Sequence, residues 1–318
     1  MSFSFVFPGQ GSQSVGMLAD INEKSDELAN IVRDTFSEAS DVLSLDLWEL
    51  IQNGPAERLN QTALTQPALL ASSVALWRVW QHKGGQIPRY MAGHSLGEYS
   101  AQVCAGTLAF DAAVKLVNAR GTFMQQAVEE GSGAMAAVLG LDDEVVKHQC
   151  EQVSQQTGQV VAAVNFNSPG QVVIAGQAAA IDTAMDAFKI AGAKKCIKLP
   201  VSVPSHCSLM APAAEKLGAM LHSLSLQSPQ TDVINNVDVS IERDPANISN
   251  ALIRQLTHPV RWVETIRMMA DNHVQTVVEC GPGKVLTGLH KRIDKSLKTL
   301  SIQDLNSLDA VFQEINQG

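Results

Sequence analysis

The chain has 318 residues, of which 45% are hydrophobic and 17% charged, and carries a formal net charge of −9. That length can bury a full core, as one large domain or one domain with a smaller insert, and the composition excludes extended disorder. With no basic stripe interleaved with aromatics, the acidic balance argues against a nucleic-acid binder; a local basic patch for an acidic partner stays open.

Residues 3–7 read as a strand, stopped by Pro8 and the loop G-Q-G-S-Q at 9–13. The first nine residues, M-S-F-S-F-V-F-P-G, have neither a basic n-region nor a cleavable apolar core. A helix is expected over 27–42 and another over 67–82, where Leu70, Val74 and Trp77 share a face and Gly84-Gly85 end it. The longest apolar stretch, 68–80, is short and contains Arg78, so no membrane span is expected. A short strand at 89–92 leads into A-G-H-S-L-G-E-Y and an alanine-rich helix from Leu96, and a further helix is expected over 112–128. This alternation implies a parallel sheet with helices on both faces.

Residues 133–202 change character. Strands are expected over 133–140, 160–166, 171–176 and 194–199, with helices over 142–156 and 178–191. The order βαββαβ is the ferredoxin-like pattern and is compact enough for a self-contained insert. The expected division is therefore 1–130 and 203–318 as a core, with 131–202 as a small subdomain. Afterwards the chain returns to α/β character, with 274–284 as a late strand ending in a glycine turn. Cys104, Cys150, Cys196, Cys207 and Cys280 are widely spaced and form no C-x-x-C pair. They read as reduced buried thiols, which fits a reducing cytoplasm.

In G-H-S-L-G, Gly93 and Gly97 flank Ser95 between a strand and a helix. A sharp turn there lifts a serine hydroxyl off the sheet, and flanking glycines remove the Cβ atoms that would collide. The Leu96 N–H at the helix start would then face an oxyanion. An ordinary strand–turn–helix with a small residue is the competing reading. A nucleophilic serine needs a base. His94 is too close in sequence and reads as a wall; His82, His148, His222, His273 and His290 read as surface residues, and His258 as a loop residue. His206, in L-P-V-S-V-P-S-H-C, lies at the return from the insert, where two subdomains would meet over a cleft.

Taken together, F-V-F-P-G-Q-G-S-Q, A-G-H-S-L-G-E-Y-S-A, the R-G of V-N-A-R-G-T-F-M-Q, N-F-N-S-P-G-Q-V-V-I-A-G, V-P-S-H, R-Q-L-T-H-P-V-R-W and E-C-G-P-G-K-V-L occur in this order. The chain thereby resembles, over nearly its whole length, the bacterial malonyl-CoA:acyl carrier protein transacylases of dissociated fatty-acid synthesis. The resemblance implies an α/β-hydrolase-like core with an inserted ferredoxin-like subdomain. It implies Ser95 as nucleophile, His206 as general base and acid, and the backbone N–H groups of Gln10 and Leu96 as oxyanion hole. Arg120 would grip the free carboxylate of malonate, as a planar bidentate cation suits. The Gln255 carbonyl would orient the histidine, and Met124 and Asn165 would be pocket walls. The four residues ending at the histidine read V-P-S-H, the stand-alone form, so the selectivity rule of modular synthases does not transfer.

The resemblance further implies a ping-pong exchange from malonyl-CoA to holo acyl carrier protein through a malonyl-serine ester. Exchanging one thioester for another needs no metal or redox cofactor. A monomer is expected. For an acidic carrier, Lys194, Lys195 and Lys198 or Lys284, Lys291 and Arg292 are candidate patches, with solvated lysines as the bland alternative. A serine hydrolase and a non-catalytic scaffold are the rival functions.

Overall fold

The computed structural model describes residues 2–20, 26–201 and 203–317. Residue 202, the expected last residue of the insert, lies outside the described residues, as do the two terminal residues 1 and 318. The chain opens with β1 (Phe3–Phe7), buried at all five positions. Helix α1 (Glu27–Leu43) follows, capped by Asp26, whose side chain accepts from the Ala29 N–H at 2.9 Å. Short helices α2 (Leu47–Asn53) and α3 (Ala56–Leu59) lead to α4 (Thr62–His82), β2 (Tyr90–Gly93), α5 (Leu96–Cys104) and α6 (Phe110–Gln126).

The next segment runs β3 (Gly133–Leu139), α7 (Asp143–Thr157), β4 (Val161–Ser168), β5 (Gln171–Gln177), α8 (Ala178–Ile190) and β6 (Lys195–Lys198). The remainder is α9 (Ala211–Ser223), β7 (Asp232–Ile234), α10 (Pro245–Arg254), α11 (Trp262–Asp271), β8 (Thr276–Cys280), α12 (Val285–Ile293), β9 (Lys298–Ile302) and α13 (Leu305–Gln317). None of the described helices is long and apolar enough to cross a membrane.

One sheet is parallel, in the order β7-β2-β1-β8-β9. Its side chains alternate between two apolar layers, as strand geometry requires. Phe5, Phe7, Met91 and Val278 face the cluster containing α1, α4 and α6, whereas Val6, Ala92 and Val277 face that of α11 and α12. Phe5 is edge-on to both Trp77 and Trp80 of α4, with centroids 5.6 and 5.1 Å away. Truncating Trp80, which is fully buried, would cost about 3–5 kcal/mol. Because β1 and β2 are parallel and in register at Phe7 and Gly93, their following loops emerge side by side. The His94 N–H donates to the Phe7 carbonyl at 3.0 Å.

The other sheet is antiparallel, in the order β4-β5-β3-β6. Ala134, Ala136 and Val138 of β3 pack with Val146, Ile181 and Phe188 of α7 and α8. On the opposite face Met135, Val173 and Ala175 pack with Cys207, the residue after His206. Bonds from Phe166 N–H to Val260 O (3.0 Å) and from Val260 N–H to Val164 O (2.8 Å) tie β4 to the segment after α10.

Two expectations need correction. Helix α4 starts at Thr62 rather than at 67, with Pro67 inside it. Proline removes the bond to the carbonyl four residues back, that of Ala63, and Asn118 Nδ2 supplies the missing donor at 2.8 Å. His290 is fully buried rather than on the surface. It follows Leu286 by one helical turn, so α12 turns both inward, and its ring stacks on Trp262 with centroids 5.7 Å apart. His82, His148, His222 and His273 are exposed, as expected, and His258 lies in a loop, as expected.

Candidate active site

The turn after β2 is forced by sterics. Ser95 has φ 53° and ψ −109°, a backbone conformation that most residues avoid. A Cβ on Gly93 would stand 1.9 Å from the Gly97 carbonyl carbon, and one on Gly97 would stand 2.0 Å from the Phe7 oxygen. Only bare backbone fits at either position. Asn236 braces the turn: its Oδ1 accepts the Ser95 N–H at 2.8 Å and its Nδ2 donates to the Gly93 carbonyl at 2.7 Å.

His206, also at positive φ (65°), brings Nε2 to 2.7 Å from Ser95 Oγ. Its Nδ1 lies 2.7 Å from the Gln255 carbonyl. A carbonyl only accepts, so Nδ1 carries the hydrogen and Nε2 is left with its lone pair toward the serine hydroxyl. Burial, reinforced by the Arg120 charge, pushes the imidazole down to about 3. At neutral pH the histidine is therefore an uncharged base.

Arg120, on α6, is 1% exposed. Its Nη1 donates to Gln66 Oε1 at 2.9 Å, and its Nη2 donates to Gln255 Oε1 at 2.9 Å and to Ser95 Oγ at 3.3 Å. Its Nε finds no partner among the described residues. The guanidinium sits over the Tyr99 ring, 5.2 Å from the centroid. A buried, partly unsatisfied cation beside a hydroxyl has the chemistry to receive an anion.

These groups line a cavity of about 330 Å³, together with Gln10, His94, Leu96, Met124, Met135 and Asn165. Leu96 is the first residue of α5, so its N–H lacks an intrahelical acceptor. Gln10 sits at the rim, with its side chain donating to Thr62 Oγ1 at 3.4 Å. Asn165 Oδ1 is buried without a partner among the described residues. Met124 Sδ receives Gln66 Nε2 at 3.7 Å. Gln255 stands behind the cavity wall and is fully buried; it reaches the site through its carbonyl and its carboxamide.

Sequence reasoning assigned no role to Gln66, Glu98, Asn167 or Asn236. Gln66 carried no local signal, standing in T-A-L-T-Q-P just before the apolar stretch of α4. Glu98 lies inside the glycine-flanked serine motif, while Asn236 braces the turn from a site 141 positions beyond Ser95 and 143 beyond Gly93. Asn167 Oδ1 meets His94 Nε2 at 2.8 Å and holds that ring at the cavity wall.

A family model described as an acyl transferase domain matches residues 4–309. The chain is 55% identical over 314 residues to the malonyl CoA-acyl carrier protein transacylase of Salmonella typhimurium, covering 98% of this chain and 99% of that protein. It superposes on an acyl carrier protein S-malonyltransferase of Vibrio cholerae with a TM-score of 0.94 and 57% identity, over 98% of this chain and 100% of the other. It also superposes on the malonyl-transacylase solved in complex with its type II PKS acyl-carrier protein, with a TM-score of 0.95 and 54% identity, over 99% and 100% of the two chains.

Proposed function

Because the chain belongs to the malonyl CoA-acyl carrier protein transacylases of the acyl transferase domain family, we infer that the cavity around Ser95 is where it moves malonyl groups. The chain is an acyltransferase of fatty-acid synthesis that takes malonyl from malonyl-CoA and delivers it to acyl carrier protein. The observation that carries the site assignment is the convergence on one hydroxyl, Ser95 Oγ, of His206 Nε2 at 2.7 Å and Arg120 Nη2 at 3.3 Å.

In the mechanism we propose, the malonyl carboxylate docks on Arg120 and places the thioester carbon over Ser95 Oγ. His206 Nε2 takes the hydroxyl proton as the oxygen attacks. The oxyanion is held by the N–H groups of Leu96 and Gln10, helped by the α5 dipole. Collapse expels the coenzyme A sulfur, which leaves with the proton held by His206. The phosphopantetheine thiol then enters, gives its proton to His206, attacks the malonyl-serine ester, and the proton returns to Ser95. A carbonyl dipole from Gln255 holds the histidine tautomer without a full charge, so the unit is a dyad. Met124 and Asn165 shape the pocket, and its narrowness keeps water from the ester.

We assign residues 1–130 and 203–318 to an α/β-hydrolase-like core and 131–202 to a ferredoxin-like subdomain. The parallel sheet of one and the β4-β5-β3-β6 order of the other support that division. A cytoplasmic, monomeric enzyme is consistent with it. Intact-protein mass spectrometry after mixing with malonyl-, acetyl- and methylmalonyl-CoA tests the reading. A malonyl adduct that Ser95→Ala cannot form is expected; an adduct that persists in that variant overturns the assignment.

A further inference from the structure

Arg120 carries a buried charge with no direct ion pair among the described residues, yet a carboxylate lies one amide away. Gln255 Oε1 accepts from Arg120 Nη2 at 2.9 Å, and Gln255 Nε2 donates to Glu98 Oε2 at 2.7 Å and to the Ser95 carbonyl at 3.0 Å. Glu98 is 1% exposed and also accepts the Asn236 N–H at 3.1 Å. A guanidinium can only donate and a carboxylate can only accept, so the two ends fix which way the Gln255 amide points. The same residue's backbone carbonyl holds His206. Cation, amide and anion thus form one polarised chain running past the nucleophile.

We propose that Glu98 is the resident counter-charge of Arg120, and that it takes up a proton when the malonyl carboxylate occupies the guanidinium. The proposal rests on the Arg120 clamp described above. With the substrate bound, two carboxylates would otherwise share one buried cation in a medium where uncompensated charge is costly. Protonating Glu98 from solvent restores neutrality, and the neutral acid leaves Oε2 free to go on accepting from Gln255 and Asn236. Other charged or titratable groups around Glu98 are Arg120 on α6, Tyr99 beside it on α5, Asp238 after β7 and Arg254 on α10. Asp238 and Arg254 neutralise each other through a bidentate pair. His94 and His206 face the cavity and are held neutral by burial. Burial already lifts Glu98 to about 7, against the lowering effects of Gln255, Asn236 and Arg120, so uptake falls near neutral pH.

The sign follows from linkage. A bound anion raises the Glu98 pKa further, so malonyl binding takes up a proton above about pH 7 and weakens as pH rises, by at most about tenfold per pH unit. The test is calorimetric titration of Ser95→Ala, which cannot turn over, with malonyl-CoA and with coenzyme A. Titrations are run from pH 6.5 to 8.5 in buffers of different ionisation enthalpy. Uptake for malonyl-CoA in excess of coenzyme A is expected, and it should vanish with pH-independent affinity when Glu98→Gln is added. The glutamine carbonyl can occupy the Oε2 position and keep both bonds. Equal uptake for the two ligands in the Glu98-containing protein overturns the proposal, even if Glu98→Gln does not fold. So does excess uptake that survives in Glu98→Gln. Failure of the clamp itself reads differently: Arg120→Ala would then bind malonyl-CoA as tightly, relative to coenzyme A, as its parent.

Discussion

Ser95 Oγ and His206 Nε2 stand 2.7 Å apart across 111 positions of the chain, and both residues hold positive φ, 53° and 65°. Such conformations cost of order 1–3 kcal/mol each for residues other than glycine and persist only where surrounding structure over-determines them. Here Asn236 grips the Ser95 N–H and the Gln255 carbonyl grips Nδ1. The strain falls on the two groups that have to be aimed at one another.

The pair should fail as a unit. Ser95→Ala is expected to abolish the malonyl-enzyme, and His206→Ala to slow its formation by about 10⁴-fold or more. Rapid-quench measurement of the acyl-enzyme checks both. Residual transfer of malonyl to the carrier, followed without an acyl-enzyme, should be no lower in the double variant than in Ser95→Ala; a multiplicative loss would mean that the two act separately.

Arg120→Ala should lower kcat/KM for malonyl-CoA by roughly 100-fold or more, since a charge-assisted hydrogen bond contributes about 1.5–3 kcal/mol and two are lost. Acetyl-CoA, which has no carboxylate, should be affected far less. Competition between the two thioesters measures the ratio, and an unchanged ratio would rule out the carboxylate clamp.

Two glycines separate backbone necessity from helix propensity. Gly93→Ala drives a Cβ into the Gly97 carbonyl carbon and should cost about 3 kcal/mol or more, with loss of acyl-enzyme formation. Gly288→Ala, in α12 with open space around it, should stabilise by about 0.5–1 kcal/mol. Urea unfolding of both variants tests the contrast.

Acid should destabilise the fold through buried imidazoles. His290 has no partner for either ring nitrogen among the described residues, and burial pushes it from 6.5 down to about 3. The unfolded chain protonates first, so stability is full above pH 6.5 and falls as pH drops toward 3, by up to about 1.4 kcal/mol per pH unit for each such group. His94 and His206 are shifted in the same direction. His290→Phe should remove one proton's share of the slope, read as a flatter Tm against pH between 6.5 and 4; parallel curves would contradict this.

For docking of an acidic carrier, the late basic patch is favoured. Lys284 opens α12, and the preceding Gly283 lies against Ser12 in the loop that carries Gln10. Lys198, in the other patch, is already paired with Asp182 at 2.7 Å. Reversing Lys284, Lys291 and Arg292 to Glu should raise KM for the carrier several-fold at low salt, with the effect shrinking as salt is added. Reversing Lys194 and Lys195 should change it little.

Local pattern was enough for much of this. The alternation of strands and helices, the β3–β6 order and the glycine-flanked turn at Ser95 are all encoded by neighbours a few positions apart, because dihedral preference and side-chain periodicity act over that range. The ordered motifs then carried roles to Arg120, His206 and Gln255. Two local signals misled. Pro67 read as a helix start because proline usually stands there, but Asn118 of a different helix satisfies the carbonyl it leaves bare. His290 read as a surface residue because its neighbours Lys291 and Arg292 are charged, although the helical turn places it beside Leu286.

What only the tertiary structure decided is which distant side chains share a proton or a charge. Glu98, Asn236 and Gln255 have no common period and no motif joining them. Glu98 and Asn236 meet because the parallel strands β2 and β7 deliver their following segments to one end of the sheet, where α6 and the end of α10, with Gln255, close over them. Composition and periodicity determine which surface is buried; hydrogen-bond chains such as Arg120–Gln255–Glu98 depend on atomic positions within a few tenths of an ångström, and those exist only after the core has packed.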